Sequence, residues 1–321
     1  MNFRDSIEQN NKKTKLVIGT YILIMLVVGL LADVAIRPIH SGGLGANMLS
    51  YIKFIKVPYV TFGILTLTIV GIFVISKFGH KMMLSGTEYK LLSPEETGTM
   101  TLEEKQVFNM IEEMALSANL GYVPKAYIME TNDMNAFAAG WSKDNALVGV
   151  TRGLINSLNR NETQAVIAHE IGHIIHGDSK LTLYVGILAN VILTFTNIFA
   201  NLAILFMGRD SNGASSKARL LLVVLNMVLP IVTQVLYFYL SRTREYMADA
   251  AAVQLTGDNR AMISALNKIS GHHEVHKAED EEKLTNVGEH YRSAAYIFSK
   301  GDSFFSTHPS IENRIKKLEG N

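Results

Sequence analysis

Four long apolar runs constrain the fold of this chain more than any other feature of its sequence. They cover residues 16–36, 57–76, 181–207 and 219–240, and the segments between them have ordinary polarity. The first run is about 31 Å long as a helix, which is enough to cross the hydrocarbon core of a bilayer. We therefore predict an integral membrane protein with four transmembrane helices.

The four runs differ in their polar residues. The first is preceded by lysines, as a signal peptide would be, but its apolar stretch is too long for one and carries a single charge, Asp33. We interpret it as an anchor that stays in the mature protein. The second run has no charge at all. The last two contain Asn, Pro or Gln, as expected of helices that contact other helices, although a buried core hairpin is the alternative for them.

Positive charge around the runs predicts their orientation. With the N-terminus inside, nine Lys and Arg flank the inner ends and six lie in the outer loops. This bias places two regions together in the cytoplasm. The predicted organisation is a transmembrane hairpin over 1–76, a cytoplasmic region over 77–180, a second hairpin over 181–240 and a cytoplasmic region over 241–321.

The sequence His169-Glu170-Ile171-Gly172-His173 has the H-E-x-x-H spacing of zinc peptidases. Residues four apart on a helix share one face, so both imidazoles could bind one metal ion. The preceding residues 162–168 are good helix formers without Pro or Gly, which predicts that the motif lies within a helix. Glu170 stands beside the first ligand, where a carboxylate can accept a proton from a metal-bound water.

A third metal ligand is expected because catalytic zinc usually has three protein ligands and one open position. Glu245 and Asp249 lie four apart in a helix-compatible segment. We interpret Glu245 as the third ligand and Asp249 as a carboxylate that orients one histidine through its other ring nitrogen. The alternative is a solvated helix face on which Arg242 and Arg244 pair with these acids. An even number of spans keeps Glu245 and His169 on one side of the membrane, as the metal site requires.

The region before the motif is predicted to contain one helix and three strands. The helix covers 101–119, with Thr101 as a candidate N-cap. Strand-like runs follow near 125–130, 135–139 and 145–150. The last run directly precedes the motif helix, and a free edge there would bind an extended peptide and place Val148 and Val150 in substrate binding. An ordinary interior strand is an equal alternative.

Two features of the tail also allow two interpretations. A helix is predicted near 258–270, followed by a polar stretch, 271–283, with three histidines. These could form a second metal site, but the adjacent charge run favours a mobile solvated loop. The His308-Pro309 step holds the histidine in an extended conformation. His308 is either an ordinary turn residue or a donor to the oxyanion of a tetrahedral intermediate.

Composition excludes several classes of function. The absence of cysteine removes a cysteine nucleophile, a disulfide framework and cysteine-ligated zinc. A net charge of +1 offers no electrostatic footprint for nucleic acid. The apolar runs hold mainly amides at mid-membrane depth, whereas a channel or transporter would need ionisable groups there.

Taken together, three sequence motifs resemble those of the HtpX-type membrane zinc endopeptidases, which are relatives of the CaaX prenyl proteases. The motifs are the H-E-x-x-H sequence, the segment from Arg244 to Asp249, and Thr307-His308-Pro309, which follow one another in this order along the chain. The segment Asn135-Ala136-Phe137-Ala138 adds to the resemblance, which spans nearly the whole chain. It implies a mainly helical α+β fold with a zincin-like catalytic domain, in which the motif helix lies beside a small β-sheet.

The resemblance also implies roles for individual residues. One Zn²⁺ per chain would be held by three ligands, His169, His173 and Glu245. Glu170 would be the general base, and Asp249 would contact a histidine ligand without binding the metal itself. His308 would stabilise the transition state. Asn135 and Arg314 would be positions of the substrate cleft.

The function implied is membrane-protein quality control. Such enzymes cleave misfolded or damaged membrane proteins at cytoplasmic sites, here in the bacterial inner membrane. The expected partners are protein substrates and the lipid bilayer, with no nucleic acid, and a homo-oligomer is left open. Two alternatives are a CaaX-type prenyl-protein peptidase, which usually has more spans, and a catalytically silent scaffold with structural zinc, which usually has four protein ligands.

Overall fold

The computed structural model describes seven stretches of the chain and six single positions between 181 and 201; the stretches are 3–37, 43–84, 86–96, 98–140, 142–178, 213–275 and 309–320. Most of the third apolar run lies outside the described residues, and so does His308. The chain forms two compact units. We call them the sheet unit, from described residues within 1–13, 77–183 and 237–321, and the apolar-helix unit, from those within 14–76 and 184–236.

The described elements are mainly helical. The N-terminal helices are α1 (Phe3–Ile36), α2 (Leu44–Ile52) and α3 (Tyr59–Met82). The central elements are β1 (Tyr89–Leu92), α4 (Leu102–Ser117), β2 (Lys125–Met129), β3 (Ala136–Ala139), β4 (Leu147–Thr151), α5 (Arg152–Ser157) and α6 (Arg160–His176). The C-terminal helices are α7 (Gly213–Thr256), α8 (Asn259–Val275) and α9 (Ile311–Leu318).

The apolar-helix unit is held together by close helix packing. Its core contains residues of α1, α2 and α7, among them Val28, Val34, Tyr51 and Leu222. At Gly29 of α1, an added Cβ would lie 2.7 Å from the Thr61 Cα of α3, so only glycine allows the two backbones to approach so closely. Small residues at such crossings are typical of helices that pack within a bilayer.

One helical segment within the described residues, Lys15–Ile36, is long and apolar enough to cross a membrane. Tyr59–Val74 is a shorter apolar helix. The fourth apolar run lies on α7, which continues without a break to Thr256. Four transmembrane helices, with the regional boundaries that follow from them, therefore stay a prediction.

The sheet is mixed, with the strand order β1-β2-β4-β3. β2 runs parallel to β4, while β1 and β3 are antiparallel to their neighbours. Of the two alternatives that the sequence left open for this strand, the structure shows the interior one, because β4 is bonded on both sides and has no free edge. Val148 and Val150 are buried in the core, so they cannot bind an extended peptide along that edge. The unbroken apolar run of β4 is typical of an interior strand covered on both faces.

The motif helix α6 begins and ends at clear sequence signals. Asn159 caps it, since its side chain accepts from the Glu162 N–H while the Glu162 carboxylate accepts from the Asn159 N–H. Gly177 ends it in the left-handed conformation, with φ of 69°. Between these signals α6 packs against α4, α8, β3 and β4, and its apolar residues join the main core. The H-E-x-x-H sequence is thereby held on a buried, rigid helix.

Several local predictions are confirmed. Helix α4 has the expected Thr101 cap, and the three predicted strands correspond to β2, β3 and β4. Two elements differ from expectation. Strand β1 was not predicted, and α8 continues to Val275, so His272 and His273 lie on a helix rather than in a loop. The rest of the polar stretch, including His276, lies outside the described residues.

Candidate metal centre

A close approach of α6 to α7 builds the centre. An added Cβ at Gly172 would lie 3.0 Å from the Ala251 Cβ and 3.3 Å from the Ala248 Cα. The missing side chain on α6 and the small ones on α7 allow the two backbones to come together. Glu245, three residues before Ala248 on the same helix, thereby reaches the two histidines of α6.

Three ligand atoms face one another in the buried interior. The Nε2 atoms of His169 and His173 are 3.1 Å apart. Glu245 Oε2 lies 3.6 Å from His169 Nε2, and Glu245 Oε1 lies 3.7 Å from His173 Nε2. Two ligands about 2.1 Å from a tetrahedral zinc ion would be about 3.4 Å apart, close to these separations. The donor set and its spacing therefore fit a zinc ion.

Asp249 contacts the ring nitrogen of His169 that points away from the ligand cluster. Its Oδ1 lies 3.0 Å from His169 Nδ1, opposite to the nitrogen that faces the cluster. Burial lowers the pKa of His169, but the Asp249 carboxylate and the nearby Glu245 carboxylate outweigh burial and raise it. Burial raises the pKa of Asp249, yet Arg314 and His169 bring it below its usual range. Asp249 thus stays ionised and keeps His169 in one orientation.

Arg314 connects the C-terminal helix α9 to the centre. Its Nε and Nη2 donate to the two Asp249 oxygens at 2.9 and 2.6 Å, and its Nη1 lies 3.4 Å from Glu245 Oε2. The side chain is wholly buried, and Asp249 and Glu245 overcome the effect of burial to raise its pKa. Arg314 therefore holds two carboxylates in this structure. Its role in a substrate cleft stays a prediction.

His173 has a carboxylate partner that the sequence analysis did not identify. Asp178 Oδ2 lies 3.1 Å from His173 Nδ1. Burial lowers the pKa of His173, but Asp178 and then Glu245 raise it to about 9. The signal that could have found Asp178 is its place directly after Gly177, because the chain turns back towards the last turn of α6 at a left-handed glycine.

Glu170 differs from every other acid of the centre. It is wholly buried, and among the described residues neither carboxylate oxygen has a hydrogen-bond partner. Burial raises the pKa of Glu170 to about 7, although His173 and His169 act in the opposite direction. A buried carboxylate without a partner normally costs free energy, which points to a functional group rather than a structural one.

Asn135 does not join the cluster of ligands in the described contacts. It lies just before β3, where its N–H donates to Thr151 Oγ1 at 2.9 Å and its side-chain oxygen accepts from the Ala136 N–H at 3.1 Å. β3 is an edge of the four-stranded sheet and packs against α6. Asn135 is therefore positioned at the start of the edge strand nearest the motif helix.

Comparison with known proteins decides the family. The profile described as peptidase family M48 matches residues 101–321. The chain belongs to peptidase family M48. It is 42% identical over 318 residues to the protease HtpX homologue of Helicobacter acinonychis (strain Sheeba). The alignment covers 99% of this chain and 98% of the relative. The protease HtpX homologue of Listeria monocytogenes serotype 4a (strain HCC23) is 33% identical over 77% of this chain and 84% of its own length.

A solved structure is also similar. The crystal structure of S. mikatae Ste24p aligns with 84% of this chain and 60% of its own, at 17% identity and a TM-score of 0.48. The family assignment rests on the sequence matches. They confirm the resemblance to HtpX-type proteases: the chain is a membrane metalloprotease of family M48.

Proposed function

We propose that the chain is a zinc-dependent integral-membrane endopeptidase with one zinc ion per chain. The ion would be held by His169, His173 and Glu245, whose ligand atoms all lie within 4.8 Å of one another. The single observation that carries the proposal is this cluster with the unpartnered Glu170 carboxylate beside it. Three ligands leave one position for water, which is the arrangement of catalytic rather than structural zinc.

The protein side chains would divide the chemistry among them. Zinc in this centre would acidify a water and polarise the scissile carbonyl. Glu170 would accept the proton of the attacking water and pass it to the leaving amine. No hydrogen bond to the described residues would have to break first. His308 would stabilise the charge that develops on the carbonyl oxygen. Asp249 would hold His169 throughout.

The proposed substrates are extended segments of misfolded or damaged membrane proteins. The named relatives over nearly the full length of the chain are HtpX proteases, which supports this substrate class. An extended segment would lie along β3, the edge strand that packs against α6, with Asn135 contacting its backbone. Arg314 would remain a candidate for substrate contact.

We further propose four spans in the bacterial inner membrane, with the sheet unit in the cytoplasm. Flanking positive charge and the apolar surface of α3 support this topology. Because the chain has no cysteine, single cysteines at Lys53 and Asp144 can report the sides directly. An impermeant maleimide should label Lys53→Cys in intact cells and Asp144→Cys only after permeabilisation. Labelling of both in intact cells would contradict the topology.

The decisive experiment is cleavage of an unfolded model protein by the purified chain in detergent. We expect cleavage that stops with a zinc chelator and is absent from Glu170→Gln, although this variant still binds one zinc. Loss of zinc from Glu170→Gln would make Glu170 a ligand instead of the base. Stoichiometric zinc without any cleavage by the unaltered chain would favour the silent scaffold. Preferential cleavage of a prenylated CaaX peptide would favour the prenyl-protein peptidase.

A further inference from the structure

Asp178 is a buried acid of the centre that the mechanism above does not use. It follows Gly177 at the end of α6 and is 1% exposed. Its Oδ2 lies 3.1 Å from His173 Nδ1, on the side of the ring that points away from the ligand cluster. An aspartate buried so completely needs a partner, and His173 supplies one.

Each of the two histidines has an aspartate next to its Nδ1, although His169 Nδ1 also lies 3.5 Å from Arg314 Nη2. Each presents Nε2 to the cluster and Nδ1 to an aspartate, Asp249 for His169 and Asp178 for His173. If each Nδ1 carries the proton that its aspartate accepts, both Nε2 lone pairs face each other across 3.1 Å. Two lone pairs at that distance repel unless a cation lies between them. The pairing with both aspartates and the binding of a metal ion therefore require the same tautomer.

We propose that Asp178 is a positioning residue for the metal centre. It accepts the Nδ1–H of His173, which fixes the tautomer and the ring orientation and makes Nε2 the metal-binding atom. Asp249 does the same for His169. The proposal rests on the proposed function, because it takes His173 as a metal ligand.

Helix α7 holds Asp178 in place as well as supplying the third ligand. The Arg244 Nη1 donates to the backbone oxygen of Asp178 at 3.3 Å. Arg244 directly precedes Glu245 on α7. The position of Asp178 is thus coupled to that of Glu245, so the approach of α7 to α6 sets one ligand and the support of another together.

Asp178 offers a cleaner test than Asp249. Removal of the Asp249 charge would leave the wholly buried Arg314 without its main partner, which would disturb the fold itself. Among the described residues, Asp178 forms its ion pair with His173 alone. Asp178→Asn keeps the shape of the side chain and removes its charge, so a change in metal binding reports on the pairing.

The test is zinc affinity, measured by chelator competition on the full chain in detergent. We expect Asp178→Asn to bind zinc about 10- to 100-fold more weakly, and Asp178→Glu to recover part of the loss. Asp144→Asn, the same change at an exposed acid, is the matched control and should leave affinity unchanged. Unchanged affinity in Asp178→Asn would overturn the proposal. If the unaltered chain does not bind zinc, the proposed function itself fails.

A second measurement uses the unaltered chain and therefore does not depend on whether a variant folds. In the zinc-loaded chain with ¹⁵N-labelled histidine, NMR should show two slowly exchanging Nδ1–H groups, one on His169 and one on His173. Absence of the His173 signal while zinc is bound would overturn the proposal. Where Asp178→Ala folds, its spectrum should lack this one signal and keep the other, which a purely structural role for Asp178 would not produce.

Discussion

The sheet unit and the apolar-helix unit differ in how many large apolar side chains they expose. The sheet unit buries a large apolar core drawn from its strands and from α4, α6 and α8. The apolar-helix unit exposes large apolar side chains, including Leu23, Leu67, Phe73 and Met227. It also buries polar ones, namely Asp33, Asn47, Thr61, Thr68 and Arg219. The sheet unit buries polar and charged side chains too, so the difference lies in the exposed apolar surface. Such a surface is expected where hydrocarbon rather than water surrounds the helices.

Two buried carboxylates, one in each unit, differ in their hydrogen-bond partners. Asp33 accepts hydrogen bonds from the Val60 N–H, the Thr61 N–H and the Thr61 hydroxyl at 3.1, 2.9 and 2.7 Å. It therefore caps the first turn of α3 and is a structural residue. Glu170 has no such partner among the described residues. Burial alone therefore does not distinguish the two acids; the lack of a hydrogen-bond partner among the described residues sets Glu170 apart.

The largest effect should follow Glu170→Gln. We expect kcat/KM to fall by about 10²- to 10⁴-fold, the usual contribution of a general base. The melting temperature should not fall, because the side chain has no hydrogen-bond partner among the described residues. Asp33→Asn is the counterpart in the other unit and should lower the melting temperature with kcat of the folded fraction retained. A lower melting temperature for Glu170→Gln would show that this acid is structural as well.

The next prediction compares two exposed leucines. Leu67 on α3 is 58% exposed and Leu116 on α4 is 71% exposed. Leu67→Arg should disfavour membrane insertion by about 3 kcal/mol, because arginine at the bilayer centre is costly. Leu116→Arg should change stability by less than about 0.5 kcal/mol, as is usual for a surface position in water. The inserted fraction, measured by alkaline extraction of membranes, and unfolding in detergent would check both.

Equal behaviour of the two arginine variants would break the comparison between the units. If Leu67→Arg inserts normally, α3 does not face lipid at this position. If Leu116→Arg also fails to insert, α4 itself contacts the membrane or another protein. Each result changes the topology proposed above in a specific place.

A smaller effect is expected for the cap of α3. Asp33→Ala removes three accepted hydrogen bonds and should lower the free energy of unfolding in detergent by about 2–3 kcal/mol. Thr61→Val removes only the hydroxyl donor and should cost about 1 kcal/mol. Chemical unfolding followed by circular dichroism would measure both. Equal costs would mean that the hydrogen bonds donated to Asp33 by the Val60 and Thr61 N–H groups contribute nothing.

The smallest effect concerns pH and the sheet unit. The Glu104 carboxylate accepts from Lys90 Nζ at 2.7 Å, from Arg152 Nη2 at 2.8 Å and from the Thr101 N–H at 3.0 Å. Burial raises the pKa of Glu104, but these partners lower it from 4.5 to about 2. Since the folded pKa lies below the unfolded one, the stabilisation is complete above pH 4.5 and is lost as the pH falls towards 2.

Glu104→Gln tests this pH dependence. At neutral pH we expect the free energy of unfolding to fall by about 1–2 kcal/mol, because the neutral amide no longer pairs with the charges of Lys90 and Arg152. The difference from the unaltered chain should shrink as the pH falls from 4.5 to 2, in unfolding curves taken across that range. A constant difference at all pH values would show that the loss is one of shape and not of charge.

Local patterns in the sequence were sufficient for the elements that carry the centre. The motif and its helix-forming neighbours predicted α6, and a capping residue predicted the start of α4. The spacing of Glu245 and Asp249 predicted that both would share one helix face, and the structure brings them to His169 and His173. These predictions depend on a period of a few residues, which the sequence displays directly.

Contacts between distant segments were decided by the tertiary structure alone. The sequence left β4 open as an edge or interior strand, and the pairing with β2 and β3 made it interior. Arg314 lies 65 residues from Asp249, and no pattern along the chain indicates that the two form a buried ion pair. Asp178 reaches His173 only because Gly177 turns the chain and α7 holds it there. Which residues meet depends on how the elements pack, and packing follows the whole set of complementary surfaces rather than any local period.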